Sequence, residues 1–254
     1  MTPLLDLTGT RVLLTGGSQG IGAAAVRALD AAGARVAFTY RSRRDLANAL
    51  CAELDGRPTA LEADLALPET APALMERCIA ALGGIDVLVN NAGIFAENPF
   101  AGDDLARWRN GWQRTFAVNV FAAADLAWLA IRQMRRAGRG GRIINIASRA
   151  AHRGELSFAD YGASKAALVN LTKSIARSCA RDGIVAFAVA PGFIATEMAA
   201  DAIAESAAEI AAEIPSGRIG MPADVAGIIA FLASPLAAYA TGATIDVNGA
   251  SYVR

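Results

Sequence analysis

The sequence predicts an α/β fold: a single domain built on a doubly wound, parallel, seven-stranded sheet with helices on both faces. Short runs rich in Val, Ile and Leu alternate with longer Ala- and Leu-rich segments from one end of the chain to the other. Those apolar runs are nearly continuous rather than alternating with polar residues, which is the pattern of strands buried on both faces. The 254 residues are 54% hydrophobic, enough for one large core, and no composition break, low-complexity tract or repeat marks a second domain.

In order, RVLLTGG (11–17), ARVAFTY (34–40), PTALEADL (58–65), IDVLVNNAG (85–93), RIINIAS (142–148), IVAFAVAPG (184–192) and ATIDVNG (243–249) read as strands with their C-terminal turns. Helices are expected over 20–32, 42–55, 69–82, 112–136, 161–181 and 222–233, where alanine raises helix propensity and permits close packing. Two stretches read as loops. Residues 94–111 mix Gly, Pro and Asp with other polar residues. Residues 193–218 run from a Pro-Gly turn through an Ala/Glu-rich segment to Pro215-Ser216-Gly217 and are expected to form a substrate lid. Phe193, Ile194, Met198 and Ile203 would give that lid an apolar mouth.

Composition narrows the function. Lys plus Arg equals Asp plus Glu at 24 each, so nothing suggests a nucleic-acid or membrane partner. No uninterrupted apolar run reaches membrane-spanning length, and the first residues lack the basic-then-apolar pattern of a secretory signal. Three scattered cysteines, Cys51, Cys78 and Cys179, read as reduced thiols of a cytoplasmic protein. One histidine, His152, is too few for two-histidine zinc sites, and no Gly-x-Ser-x-Gly elbow signals a serine hydrolase. No metal site is expected.

In doubly wound sheets the ligand sits outside the C-terminal strand ends. The first strand ends in TGGSQGIG (15–22), where Gly16, Gly20 and Gly22 let the backbone approach a pyrophosphate and point a helix N-terminus at it. The third strand ends in Asp64-Leu65, where the carboxylate reads either as an acceptor for an adenine amino group or as a helix cap. The fourth ends in Asn90-Asn91-Ala92-Gly93, which can wall a cofactor or simply close the turn. Asn119 sits in an apolar stretch and needs partners if buried. Ser148 ends the fifth strand, thirteen residues before Tyr161.

Tyr161 and Lys165 stand four apart, about one helical turn, so their side chains share a face. A free tyrosine titrates near ~10 and needs about 4 kcal/mol to reach neutrality. One positive charge at about 4 Å supplies on the order of 4 kcal/mol at an effective dielectric near 20. Lys165 is therefore expected to lower the Tyr161 pKa, with desolvation of the phenolate opposing it.

The order TGxxxGxG, NNAG, Asn, Ser, YxxxK and PG resembles that of the short-chain dehydrogenase/reductase family, and the likeness runs from Arg11 to Asn248. The segments PGFIATEM and GATIDVNG are most similar to the bacterial β-ketoacyl-(acyl carrier protein) reductase branch, and sugar, steroid and polyol dehydrogenases share them. The resemblance implies a Rossmann-type sheet, a homotetramer, a carbonyl, acyl or alcohol substrate, and a tetrad of Asn119, Ser148, Tyr161 and Lys165. In it Ser148 polarises the substrate oxygen, and Tyr161 gives or takes the proton. Lys165 tunes the tyrosine and holds the nicotinamide ribose, and Asn119 anchors a water leading to solvent. It further implies cofactor contacts from Gly16, Ser18, Gln19, Gly20, Ile21, Gly22, Tyr40, Arg41, Ser42, Asp64, Leu65, Asn91, Ala92, Gly93, Pro191, Gly192, Ile194 and Thr196. Two features depart from the branch. The 94–111 segment is longer, and Ser148 is followed by the basic Arg149, His152 and Arg153, read as an anion subsite or a solvated loop.

An NAD site usually carries an acid about 20 residues past the glycine motif. Tyr40 stands at that place, followed by Arg41, Ser42, Arg43 and Arg44, with no carboxylate to repel a 2′-phosphate. Guanidinium matches phosphate geometry, so NADP(H) is preferred and NAD(H) remains possible. Two alternatives stand beside a carbonyl reductase: an NAD-dependent sugar-alcohol, steroid or other secondary-alcohol dehydrogenase, and a non-catalytic dinucleotide-sensing regulator. The latter would be expected to lack Tyr161 or Lys165.

Overall fold

The computed structural model describes residues 5–253. Seven strands, β1 (Arg11–Leu14), β2 (Arg35–Tyr40), β3 (Thr59–Glu62), β4 (Val87–Asn90), β5 (Gly141–Ile146), β6 (Ile184–Pro191) and β7 (Thr244–Val247), form one sheet. Their order is β3-β2-β1-β4-β5-β6-β7, and all the pairings are parallel. The order reverses between β1 and β4, the switch point at which Rossmann-type sheets bind dinucleotides.

The strand period of two sorts the core. Val12 and Leu14 of β1, with Val87 and Val89 of β4, face helices α1 (Gly20–Ala31), α2 (Arg44–Glu53) and α8 (Pro222–Ala233). Leu13 and Leu88 face α3 (Thr70–Leu82), α5 (Ala122–Ala137) and α6 (Ala159–Cys179). Two helix layers thus sandwich the sheet, as the continuous apolar strands predict.

Two elements differ from expectation. The helix expected at 112 starts earlier, as α4 (Leu105–Phe116), because Asp104 caps it by accepting from the Arg107 N–H at 2.9 Å. It continues through a five-residue π segment, Ala117–Phe121, into α5. By length and mean hydropathy this 33-residue run could cross a membrane, although Arg114, Asn119 and Asp125 interrupt its apolar residues. Here Leu126, Ala130 and Met134 pack it onto the sheet. The second difference lies in 193–218, where a 3-10 turn (Glu197–Ala199) leads into helix α7 (Ala200–Glu213). None of the α7 residues is fully buried, and Ser206 leaves helical geometry (φ −145, ψ 34). The base of this segment is held by Ala195 N–H to Gly220 O at 2.8 Å and Gly220 N–H to Phe193 O at 3.0 Å.

Candidate active site

A crevice of about 630 Å³ opens at the C-terminal strand ends. Gly16, Ser18, Gln19, Gly20, Ile21, Gly22, Tyr40, Arg41, Ser42, Asp64 and Leu65 line one end. Asn91, Ala92 and Gly93 line the middle, and Ser148, Tyr161, Lys165, Pro191, Gly192, Ile194 and Thr196 the other end and rim. Every residue expected to contact a cofactor therefore faces one cavity. Of the lid residues, Phe193, Ile194 and Met198 line it, whereas Ile203 turns to a neighbouring cleft with Arg27 and Leu46.

The glycine turn is built for close approach. Gly16 and Gly20 take positive φ (69° and 54°), and a Cβ on Gly22 would stand 2.0 Å from Gly16 O. Two buried threonines that sequence reasoning passed over brace it. Thr39 Oγ1 accepts the Gly16 N–H at 2.9 Å, and Thr15 Oγ1 accepts the N–H groups of Asn91 and Ala92, both at 3.0 Å. The Asn91 amide returns the contact, donating to Thr15 O (2.9 Å) and Gly16 O (3.0 Å). Their one legible signal was a threonine at each of two adjacent strand ends.

At the same end, Asp64 keeps its turn role, Oδ1 accepting from Ala66 N–H at 3.0 Å while the residue lines the crevice. The neighbourhood is not free of carboxylates, contrary to the expectation from the sequence. Glu62, paired across the sheet with Tyr40, accepts from the Tyr40 hydroxyl at 3.3 Å. Arg44 binds the same carboxylate and so is spent on it. Arg43 reaches Asp45 at 3.4 Å and, across the crevice mouth, Glu197 at 3.8 Å. Arg41 lines the crevice with no side-chain hydrogen bond or ion pair among the described residues.

At the far end, α6 places Tyr161 and Lys165 in its first two turns. Lys165 is 3% exposed, and its Nζ donates to Ile146 O at 2.8 Å. The Tyr161 ring, half-buried, lies 5.6 Å from that Nζ and meets Phe95 edge-on at 4.8 Å. Ser148 faces the same space while its Oγ accepts the Ala150 N–H at 3.1 Å. Asn119 stands behind the crevice wall. Its Oδ1 accepts from Ile94 N–H (2.8 Å), and its Nδ2 donates to Ile94 O (3.1 Å) and Ser164 Oγ (3.0 Å). The wider π turn carries it to Ile94, and such turns recur at functional sites. Asn119 Oδ1 and Lys165 Nζ flank Gly93, each 3.3 Å from where its Cβ would lie.

Burial governs the titration of this pair. It lowers Lys165 to about 8. It pushes Tyr161 up to about 12, against a smaller pull from Ser148 and with a small further push from Glu155. This corrects the expectation that Lys165 would draw the phenol down, because the cost of burying a phenolate wins.

A dinucleotide suits the cavity. Cβ atoms on Gly16 and Gly20 would press on Ala92 at 3.1 Å and Thr196 at 3.2 Å, so the turn stays bare where its backbone and the following helix N-terminus would meet phosphates. The fold and crevice thus define a dinucleotide-binding protein of the doubly wound class. A family profile described as enoyl-(acyl carrier protein) reductase matches residues 16–250. A 3-oxoacyl-[acyl-carrier-protein] reductase from Vibrio cholerae is 36% identical over 249 residues, covering 98% of this chain and all of the relative. An L-rhamnose 1-dehydrogenase (NAD(P)+) from a Sphingomonas species is 37% identical, with 98% of each chain covered. A blue fluorescent protein from a metagenomic library, solved with NADPH, superposes with TM-score 0.88 at 40% identity, covering 98% of this chain and 100% of its own. The chain belongs to the short-chain dehydrogenase/reductase family, and it is an oxidoreductase.

Proposed function

We propose that the chain is an NADP(H)-dependent reductase that interconverts a carbonyl and an alcohol, working as a homotetramer in the cytoplasm with residues 193–218 as its substrate lid. The observation that carries this reading is that Ser148, Tyr161 and Lys165 open onto the same crevice as the glycine turn. Bound there, NADPH supplies the hydride. The chain supplies the rest. Ser148 donates a hydrogen bond to the substrate oxygen, and Tyr161 gives that oxygen its proton. Lys165, held by Ile146 O, stabilises the phenolate left behind. Asn119 fixes the Ile94 backbone beside Lys165 and anchors a water leading to solvent.

The titration sets the resting form of Tyr161. To serve as a base near pH 7, a phenol at about 12 would have to fall by about 5 units, roughly 7 kcal/mol at 1.36 per unit. One charge at about 4 Å gives on the order of 4 kcal/mol. At neutral pH Tyr161 thus rests as the phenol, the form that gives its proton in reduction.

Arg41 is the group for the 2′-phosphate, since Arg43 and Arg44 already hold carboxylates. The relatives' names put 3-oxoacyl thioesters and a sugar among the candidate substrates. An NAD-dependent alcohol dehydrogenase and a non-catalytic sensor are the competing readings, and the complete Ser148–Tyr161–Lys165 group argues against the sensor. NADPH oxidation with a panel of ketones, oxo acids and 3-oxoacyl thioesters tests the proposal. Tyr161→Phe should cut turnover by ~10²-fold or more, and Arg41→Ala should raise the KM for NADPH far more than that for NADH. Binding of NADPH without turnover of any carbonyl would favour the sensor, and better use of NADH would overturn the cofactor assignment.

A further inference from the structure

Arg149 follows Ser148 directly and lines the crevice together with Tyr161, Phe193 and Met198. It is half-buried, yet its guanidinium has no hydrogen bond or ion pair among the described residues. Its one recorded side-chain contact is the Phe193 ring, 5.8 Å from Cζ. Every other arginine near the crevice has a different situation. Arg43 is paired with Asp45 and Glu197, Arg44 with Glu62, and Arg153 with Glu155 at 3.5 Å. Arg41 is exposed at the opposite, cofactor end.

The surroundings of Arg149 give its charge little relief. Burial and the like charge of Arg153 work against its protonated form, and the carboxylates of Glu155 and Glu213 favour it only from a distance. Glu155 also lines the crevice, but its carboxylate is taken by Arg153. A half-desolvated, unpaired, planar cation held against an aromatic face is matched to a carboxylate, which it can bind through two parallel hydrogen bonds. Arg153, exposed and paired with Glu155, lies outside the crevice lining.

The geometry points to an anionic substrate: a carbonyl compound that carries its own carboxylate, an oxo acid, whose carboxylate pairs with Arg149 while its ketone oxygen faces Ser148 and Tyr161. Arg149 is then a specificity-determining residue. The inference rests on the carbonyl-reductase reading and narrows its substrate. A neutral ester or thioester would leave the Arg149 guanidinium without a partner.

The test uses matched probes and the full chain with NADPH: 2-oxobutyrate, acetoacetate and 4-oxopentanoate, each against its methyl ester, with the N-acetylcysteamine thioester of acetoacetate as a neutral 3-oxoacyl substrate. At least one acid should exceed its ester roughly 10- to 100-fold in kcat/KM, the span of a charge-assisted hydrogen bond. In Arg149→Met that preference should collapse through a higher KM for the acid, while Arg149→Lys keeps part of it. Esters or the thioester reduced as well as the acids, or acid and ester lost in equal measure in Arg149→Met, would overturn the inference and leave the carbonyl-reductase reading standing. If no carbonyl is turned over, that broader reading fails. Calorimetric titration of the NADP+ complex with the same acids and esters still decides Arg149: tighter acid binding lost in Arg149→Met supports its role, and equal binding refutes it.

Discussion

Lys165 is a charge the fold holds at a cost. Its pKa in the folded chain, about 8, lies below the ordinary 10.5, a gap worth roughly 3 kcal/mol. Because the folded value is depressed, the unfolded chain holds more protons between about 8 and 10.5, and stability rises with pH across that window. Tyr161 has the opposite sign. Its folded value of about 12 exceeds the ordinary 10.0, so its contribution is lost as pH rises from about 10 to 12. Lys165→Met should therefore be inactive yet more stable at pH 7 by about 1–3 kcal/mol, the loss of the Ile146 carbonyl's partner offsetting part of the gain from removing the charge. Urea midpoints at pH 7 and pH 10.5 check this: the advantage should vanish at the higher pH, and equal stability at pH 7 would refute it. The spacing of Tyr161 and Lys165 was legible because a helix puts every fourth residue on one face. The direction of the tyrosine shift was not, because Coulomb's law needs a distance and a degree of burial that no spacing supplies.

The long helix and α6 are clasped by one acid. Asp160, 1% exposed, accepts from Thr115 Oγ1 at 2.7 Å, from Asn98 Nδ2 at 3.5 Å and from the Tyr161 N–H at 2.9 Å. It thus ties α4 and the segment before it to the turn that carries the proton donor. Asp160→Ala leaves those donors unpaired and should cost about 1–3 kcal/mol, read as a lower urea midpoint at constant m. A change below about 0.5 kcal/mol, the range of ordinary surface substitutions, would show the clasp to be idle. At this scale the sequence was most readable where hydrophobic period and turn chemistry agree, as at the seven strands and at α1, α3 and α8. It was least readable where a polar run folds on a single cap, as Asp104 starts α4 seven residues early. Helix α7 was hidden because it buries nothing that would mark a face. Thr15 and Thr39 escaped notice because a threonine in a strand is ordinary until its hydroxyl meets a turn.

At the scale of the molecule, the outer side of the long helix is unfinished. Phe121 (60% exposed) and Trp128 (57%) stand in solvent, with Arg132 stacked 4.4 Å over Trp128. Near the last strand, Leu236 and Tyr239 are also exposed. Exposed large apolar side chains of this kind fit the proposed subunit contacts. Sedimentation at micromolar concentration should give a tetramer, and the double variant Phe121→Glu with Trp128→Glu should give a smaller species. A monomeric parent chain would refute the assembly. The strand order also sets a timetable. The glycine turn leaves the ribosome early, but the Asn91 amide that ties down its carbonyls lies 75 residues later. At ~5–20 residues per second of synthesis, the turn waits roughly 4–15 s for its brace. Until β4 slides in beside β1, the nascent chain carries the phosphate motif complete in letters and absent in space, and any fragment ending before that strand inherits the signature without the crevice.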